Sequence, residues 1–311
     1  MGFYAMGSHD IVQGTNCPIQ DEGNNIIAQA CYQIAKEFDI EPYDEHTGKG
    51  VLRHIIGRIG QSGWMIILVT ATEQLPHKEK WVEKLTERIP QVETVIHNVN
   101  GKRTNVILGP KNNILYGDGT ITDHIKDLQF TLSPHSFFQV NPEQTTVLYD
   151  QALTYADLKG DETVIDAYCG TGTISLFLAH KAKHVIGIEI VEPAIINARE
   201  NARRNGYDNA EFIVADAALE MPKLYKAGVR PDVIVFDPIR AGCKEEVLTS
   251  AAGMEPKRIV YVSCNPATMA RDIEILTHYG YVLQEVQPVD MFPMTAHVEA
   301  VALLTRKEIT Q

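Results

Sequence analysis

Thr163-Val164-Ile165-Asp166-Ala167-Tyr168-Cys169-Gly170-Thr171-Gly172-Thr173 is the stretch that decides how this chain folds. Thr163 to Tyr168 is short, β-branched and largely apolar, as a strand covered on both faces should be. Gly170 and Gly172 let the backbone turn tightly and approach a ligand closely, and a helix begins from about Thr173. The turn is not a full G-x-G-x-x-G fingerprint, because Ser175 stands in the third glycine's place. Towards the C-terminus the same alternation repeats. His184–Ile190 precedes a helix from Glu192, Ala210–Val214 a short helix, and Asp232–Asp237 a helix from about Lys244. Arg258–Cys264 then runs into a helix from Pro266 to His278. Two strands, Tyr281–Val289 and His297–Thr305, close the chain. Five βα units followed by two strands predict a doubly wound α/β sheet with an antiparallel strand at one edge.

Towards the N-terminus the rhythm changes. Glu22 to Phe38 carries a helical stripe of Ile26, Ile27, Ala30, Ile34 and Ala35. Val51–Ile59 and Trp64–Thr70 read as strands paired around Gly60-Gln61-Ser62-Gly63. Lys78 to Arg88 is an amphipathic helix, and strands follow at Val92–Asn98, Asn105–Leu108, Asn113–Tyr116 and Leu128–Leu132. This places a smaller α+β domain at 1–132. A polar hinge and a helix from Pro142 to Ala156 lead into the α/β domain at 133–311.

Composition narrows the class. Hydrophobic residues at 44% and charged residues at 22% suit globular domains. No apolar run reaches the ~18 residues needed to span a bilayer, and the N-terminus lacks a basic-then-apolar secretory pattern. Five scattered cysteines without a C-x-x-C pair fit a reduced cytosolic protein better than a disulfide framework or a zinc site. The 28 Lys and Arg residues against 40 Asp and Glu leave a net charge of −12, shared evenly between residues 1–150 and 151–311. Any polyanion must therefore be met by a local patch or by another segment.

In an open α/β sheet the ligand lies beyond the carboxyl ends of the strands. Those ends read Tyr168-Cys169-Gly170, Glu189, Asp216, Asp237 and Cys264. Glu189 is placed to bind both hydroxyls of a ribose, which an NAD enzyme would also require. Asp216 suits either an adenine amino group or a helix N-cap. The two closing strands distinguish the sheet of an S-adenosylmethionine-dependent methyltransferase, Rossmann-like and of class I, from a plain dinucleotide fold. Amino-directed methyltransferases often carry Asn or Asp-Pro-Pro-aromatic at the fourth strand's end. Asp237-Pro238-Ile239-Arg240 has arginine in the aromatic position, and a cysteine follows one strand later, which argues for attack on a ring carbon.

Carbon 5 of uracil is a poor nucleophile until a thiolate adds to carbon 6 and turns the ring into an enolate. After methyl transfer a base must remove the carbon 5 proton so that the thiol can leave. Cys264 stands at a strand end with Asn265 as an N-cap and Pro266 in the first helical position, where a helix terminus should lower its pKa. Glu299, a charge in the apolar run Val298 to Leu304, supplies the base, and partial burial should raise its pKa.

The chain resembles the bacterial RNA (uracil-5-)-methyltransferases, most closely their 23S ribosomal RNA branch. The resemblance rests on Ser136-Phe137-Phe138-Gln139-Val140-Asn141, Asp166 to Gly172, Asp237 to Gly242, Ser263 to Asp272 and Phe292 to Glu299. It implies a cytosolic enzyme, by default a monomer, that makes 5-methyluridine with S-adenosyl-L-methionine as donor. Cys264 would be the nucleophile and Glu299 the base, with Gln139, Tyr168, Gly170, Glu189, Asp216 and Asp237 lining the donor pocket. Gln139 enters by the resemblance alone. Transfer RNA is the alternative substrate, and an inactive RNA-binding fragment the alternative role. The family usually has a second proline at Ile239, and many relatives have Asn at Thr173. Relatives of this branch usually begin with a small β-barrel RNA-binding domain, and some hold an iron–sulfur cluster with four cysteines, of which Cys17 resembles the fourth. The expectation is therefore a shortened chain without a cluster.

Overall fold

Short segments without clear periodicity pair at the start of the chain. Gly2–Tyr4 (β1) and Ile11–Gln13 (β2) form an antiparallel ladder with Gly2 opposite Gln13. This computed structural model describes residues 1–5, 7–14 and 16–307. They form two units, one of Met1–His124 with Thr131–His135, the other of Ile125–Phe130 with the chain from Ser136 onward.

In the first unit, helix α1 (Glu22–Glu37) starts where the Asp21 carboxylate accepts from the backbone N of Gly23 at 2.7 Å. Its buried stripe is Ile27, Cys31 and Ile34, whereas Ile26 stays 41% exposed, so the apolar face is narrower than the sequence suggests. Leu52–Ile59 (β3) and Trp64–Thr70 (β4) are antiparallel, with Ile59 opposite Trp64. Helix α2 (Lys78–Arg88) returns the chain to Val92–Val99 (β5), parallel to β4, and Lys111–Tyr116 (β6) pairs antiparallel with β5. Trp81 and Leu85 from α2 meet Ile27 and Ile34 from α1 over Ile66, Leu68 and Val95 of the sheet.

The segment Asn105–Leu108, expected as a strand, is a loop. Asn100 Nδ2 donates to the carbonyls of Val106 at 2.7 Å and Ile107 at 2.9 Å. Asn98 binds both N and O of Gly109 at 2.8 Å. Side chains thus occupy the backbone groups that a ladder would have used. Ile121–Ile125 (β7), which the sequence reading missed, forms a hairpin with Leu128–Leu132 (β8).

From Ser136 onward the second unit's first regular element is α3 (Pro142–Ala156), capped by Asn141, whose side chain accepts from Gln144 N at 3.2 Å. Strands and helices then alternate as Thr163–Asp166 (β9), Thr173–Ala179 (α4), His184–Glu189 (β10), Glu192–Arg204 (α5), Ala210–Val214 (β11) and Ala217–Lys226 (α6). Val233–Phe236 (β12), Glu245–Gly253 (α7), Arg258–Ser263 (β13) and Pro266–His278 (α8) follow, then Tyr281–Val289 (β14) and Glu299–Arg306 (β15). The seven strands lie in the order β11-β10-β9-β12-β13-β15-β14. Strands β9 to β13 are parallel, while β15 inserts between β13 and β14, antiparallel to both. Chain order reverses at β9, which has β10 on one side and β12 on the other. That reversal opens a crevice at the carboxyl ends. Helices α6, α7 and α8 share one core with the sheet through Met221, Leu248, Met269 and Leu276 packed on Ile186, Ile234 and Tyr261.

Candidate active site

The turn after β9 has two glycines with different tasks. Gly170 has φ +52° and an added Cβ would meet nothing within 4 Å, so its backbone borders open space. Gly172 has φ +84°, and a Cβ there would come within 3.0 Å of Phe212 and 3.1 Å of Ala198. It permits packing rather than ligand approach. Asp166, at the end of β9, is buried; Ser175 Oγ donates to its Oδ2 at 2.6 Å, and Oδ1 has no hydrogen-bond partner among the described residues. Burial pushes this carboxyl up to about 6. The serine in the third glycine's place is thereby accounted for. Asp166 itself was not singled out from sequence, although an acid just before a glycine turn is a usable signal.

Glu189 closes β10 with Oε1 accepting from the backbone N of Val191 at 2.9 Å. Beside it Ile190 and Val191 are exposed, an apolar surface suited to a nucleobase. Asp216 is the N-cap of α6; it accepts from Ala218 N at 2.9 Å and faces Lys244 Nζ at 3.4 Å. The capping role is therefore present whatever else Asp216 does. Tyr168 is half-buried, its ring 6.5 Å from that of Phe236, and burial with the neighbouring Cys243 pushes its hydroxyl pKa up. Gln139 is partly exposed between buried Phe138 and the α3 cap Asn141.

The thiol lies on the other side of the crevice. The β13–β15 ladder ends with Ser263 opposite Ala300, which makes Cys264 and Glu299 the next pair in register. Cys264 is half-buried and Glu299 is 4% exposed. A solvent-facing edge role for Glu299 is excluded, because β15 has a neighbour on each side. Asn265 caps α8 by accepting from Ala267 N at 3.2 Å, and Pro266 is in the first turn, as read from sequence. The expected fall in the thiol pKa is overturned. Burial pushes the Cys264 thiol up, Glu299 and Asp237 add to that, and Arg240 opposes them. One helix terminus does not outweigh desolvation and two carboxylates. Burial raises Glu299, with Arg240 opposing. Asp237 is raised strongly, first by burial and then by Glu299 and Asp166.

The loop after β12 is tied to the nucleophile's helix. Asn265 Nδ2 and Thr268 Oγ1 both donate to the Arg240 carbonyl, at 3.1 and 3.3 Å. Fully buried Asp272 accepts from Cys243 N at 2.7 Å, from the Tyr261 hydroxyl at 2.6 Å and from Arg271 at 2.6 Å. Arg240 Nη2 lies 3.1 Å from His297 Nδ1. Tyr149, on α3, meets Thr173 Oγ1 at 3.1 Å, and burial with the nearby Asp237 raises its phenol. Tyr149 and Asp272 were missed because an aromatic or acid on a core helix carries no pattern of its own.

A seven-stranded sheet of this order, with glycines after the first strand and an acid ending the second, defines a class I S-adenosylmethionine-dependent methyltransferase. The residues fit that donor: the backbone at Gly170 is open, and the unpaired oxygen of Asp166 and the strand-end Glu189 offer acceptors. Residues 77–307 match the family model described as tRNA (Uracil-5-)-methyltransferase. An uncharacterized RNA methyltransferase of Halalkalibacterium halodurans is 52% identical over 308 residues, 98% of this chain and 67% of the relative. One from Clostridium acetobutylicum is 51% identical over 98% of this chain and 67% of its own length. The crystal structure of Pyrococcus abyssi tRNA (uracil-54, C5)-methyltransferase in complex with S-adenosyl-L-homocysteine aligns with a TM-score of 0.81 at 29% identity, covering 97% of this chain and 72% of that one. The chain belongs to the RNA (uracil-5-)-methyltransferase family, whose members use S-adenosyl-L-methionine.

Proposed function

We propose that this protein methylates carbon 5 of a uridine in 23S ribosomal RNA, giving 5-methyluridine through a covalent adduct between Cys264 and carbon 6. The observation that carries the covalent route is the register that sets Cys264 beside Glu299. S-adenosylmethionine supplies a methyl group on a sulfonium. The donor pocket is formed by Gln139, Tyr168, Gly170, Glu189, Asp216 and Asp237. Asp237 also borders the uracil, because the fourth strand's end lies between the donor crevice and the thiol.

Cys264 adds as thiolate, its proton having left to solvent; the sulfur–carbon 6 bond forms and the ring's π pair moves onto the carbon 4 carbonyl as an enolate. Carbon 5 then takes the methyl group, and the methyl–sulfur bond of the donor breaks with its electron pair staying on sulfur. Glu299 removes the carbon 5 proton, the carbon 5–carbon 6 double bond re-forms, and the thiolate is expelled. The target uridine leaves its stack to reach the crevice, and the first unit helps to hold the RNA.

The test is incubation of the protein with donor and a 5-fluorouridine-substituted 23S transcript. Fluorine does not leave as a proton does, so a stable protein–RNA adduct is expected and should vanish in Cys264→Ala. Bound RNA without adduct in the native protein refutes the nucleophile. The second reading, transfer RNA as substrate, is favoured by the likeness to the Pyrococcus enzyme. A fluorinated tRNA transcript run in parallel decides between them.

A further inference from the structure

Phe292-Pro293-Met294-Thr295, in the connection between β14 and β15, is a tight turn in which Thr295 N donates to the Phe292 carbonyl at 3.2 Å. Proline stands second and Met294, third, has φ +67°. That is the arrangement of a type II turn, whose third position favours glycine or asparagine. Two further bonds hold the turn: Thr295 Oγ1 donates to the Phe292 carbonyl at 2.7 Å, and His297 N donates to Thr295 Oγ1 at 3.2 Å. Met294 is 93% exposed, the most exposed large apolar side chain among the described residues. A long apolar side chain thus occupies a place where backbone conformation favours glycine and packing offers it nothing. Folding alone gives no reason for a methionine here.

The turn's position supplies one. It leads within a few residues into Glu299. His297 joins it to Arg240 on the loop after β12, where Ile239 is 78% exposed. Two linked loops therefore each present a bare apolar side chain beside the residues that would act on the uracil. A nucleotide drawn out of a stack leaves a gap between its neighbours, and apolar side chains fill such gaps in other nucleic-acid complexes. Methionine is unbranched, flexible and polarizable, which suits insertion between bases of varied shape.

Resting on the RNA reading above, we infer that Met294 enters the RNA stack at the gap left by the target uridine, with Ile239 against the flanking nucleobase. The ligand class is a stacked RNA base next to the modified position.

The experiment measures single-turnover methylation of a synthetic fragment of whichever transcript is modified, with 2-aminopurine next to the target uridine. Met294→Gly and Met294→Ala should slow methyl transfer by about tenfold or more, while Met294→Leu stays within about threefold of the native rate. The 2-aminopurine signal should rise on binding to the native protein and to the leucine variant, and stay low with the other two. Donor affinity should be equal in all four, which separates loss of the wedge from loss of fold. A glycine variant as fast as the native protein, an equal loss with leucine, or slow transfer with an undiminished 2-aminopurine rise each overturns the inference. A native protein that methylates neither 23S nor tRNA transcript refutes the RNA reading itself and the wedge with it.

Discussion

Replacing Asp166 with asparagine removes a charge from the end of β9 while keeping the side chain's shape and its bond from Ser175. The carboxyl is held at about 6 against an ordinary 3.8. That gap corresponds to about 3 kcal/mol at neutral pH, the cost of ionising a carboxylate whose second oxygen is unpaired. The folded pKa lies above the unfolded one, so the group's contribution to stability is complete below about pH 4. It is lost as pH rises through about 6. Asp166→Asn should therefore match the native protein near pH 4 and be more stable by about 3 kcal/mol above pH 7. The expected loss is functional: affinity for S-adenosylmethionine, measured by titration calorimetry, falls. Both tryptophans, Trp64 and Trp81, belong to the first unit, so their emission serves as a control. Hydrogen exchange of β9 amides reads the second. A stability difference that stays flat between pH 4 and 8 would refute the assignment of a buried, strained carboxylate.

Glu299→Gln should complete methyl transfer and then stall, so that adduct accumulates on ordinary RNA; rapid turnover by that variant excludes Glu299 as the base. In the donor-free protein, iodoacetamide labelling of Cys264, followed by mass spectrometry, should still be accelerating at pH 9, because burial and two carboxylates raise the thiol. Glu299→Gln should speed that labelling and Arg240→Ala slow it, and the reverse order would contradict the electrostatics. Asp272→Ala deletes a fully buried carboxylate that accepts from four donor atoms and should cost roughly 3 kcal/mol or more by urea unfolding, whereas Arg271→Ala, which leaves the bonds from Cys243 N and the Tyr261 hydroxyl in place, should cost less.

The alternating βα rhythm made the second unit legible, because each of the five parallel strands, β9 to β13, is followed by a helix start. What it does not carry is the order of the last three strands. That β15 inserts beside β13 follows from the pairing of Ser263 with Ala300, a long-range choice with no local signature. The first unit was harder for a different reason. Val106 and Ile107 look like strand residues, but Asn100, just past the end of β5, binds both their carbonyls through its side chain, and Asn98 holds Gly109 in the same way. At the site, strand ends were readable since topology alone brings them to one edge. Tyr149 and Asp272 were not, since their importance lies in the groups they meet from distant parts of the chain, Thr173 for Tyr149 and Cys243 for Asp272.

A raised thiol pKa does not count against Cys264 as a nucleophile. It lowers the fraction ionised at neutral pH, yet each thiolate formed is the stronger nucleophile, since reactivity climbs with basicity about half as steeply as ionisation falls. The charges around it set the conditions under which the fraction recovers. Glu299 and Asp237 hold the proton on sulfur, and Arg240 is the cation that opposes them at both Cys264 and Glu299. S-adenosylmethionine carries its methyl on a positive sulfonium, so a donor bound in the proposed pocket beside Asp237 would reduce the negative field the thiol feels. Asp237, one of the two acids that raise the thiol in the donor-free protein, would at the same time attract the cationic donor.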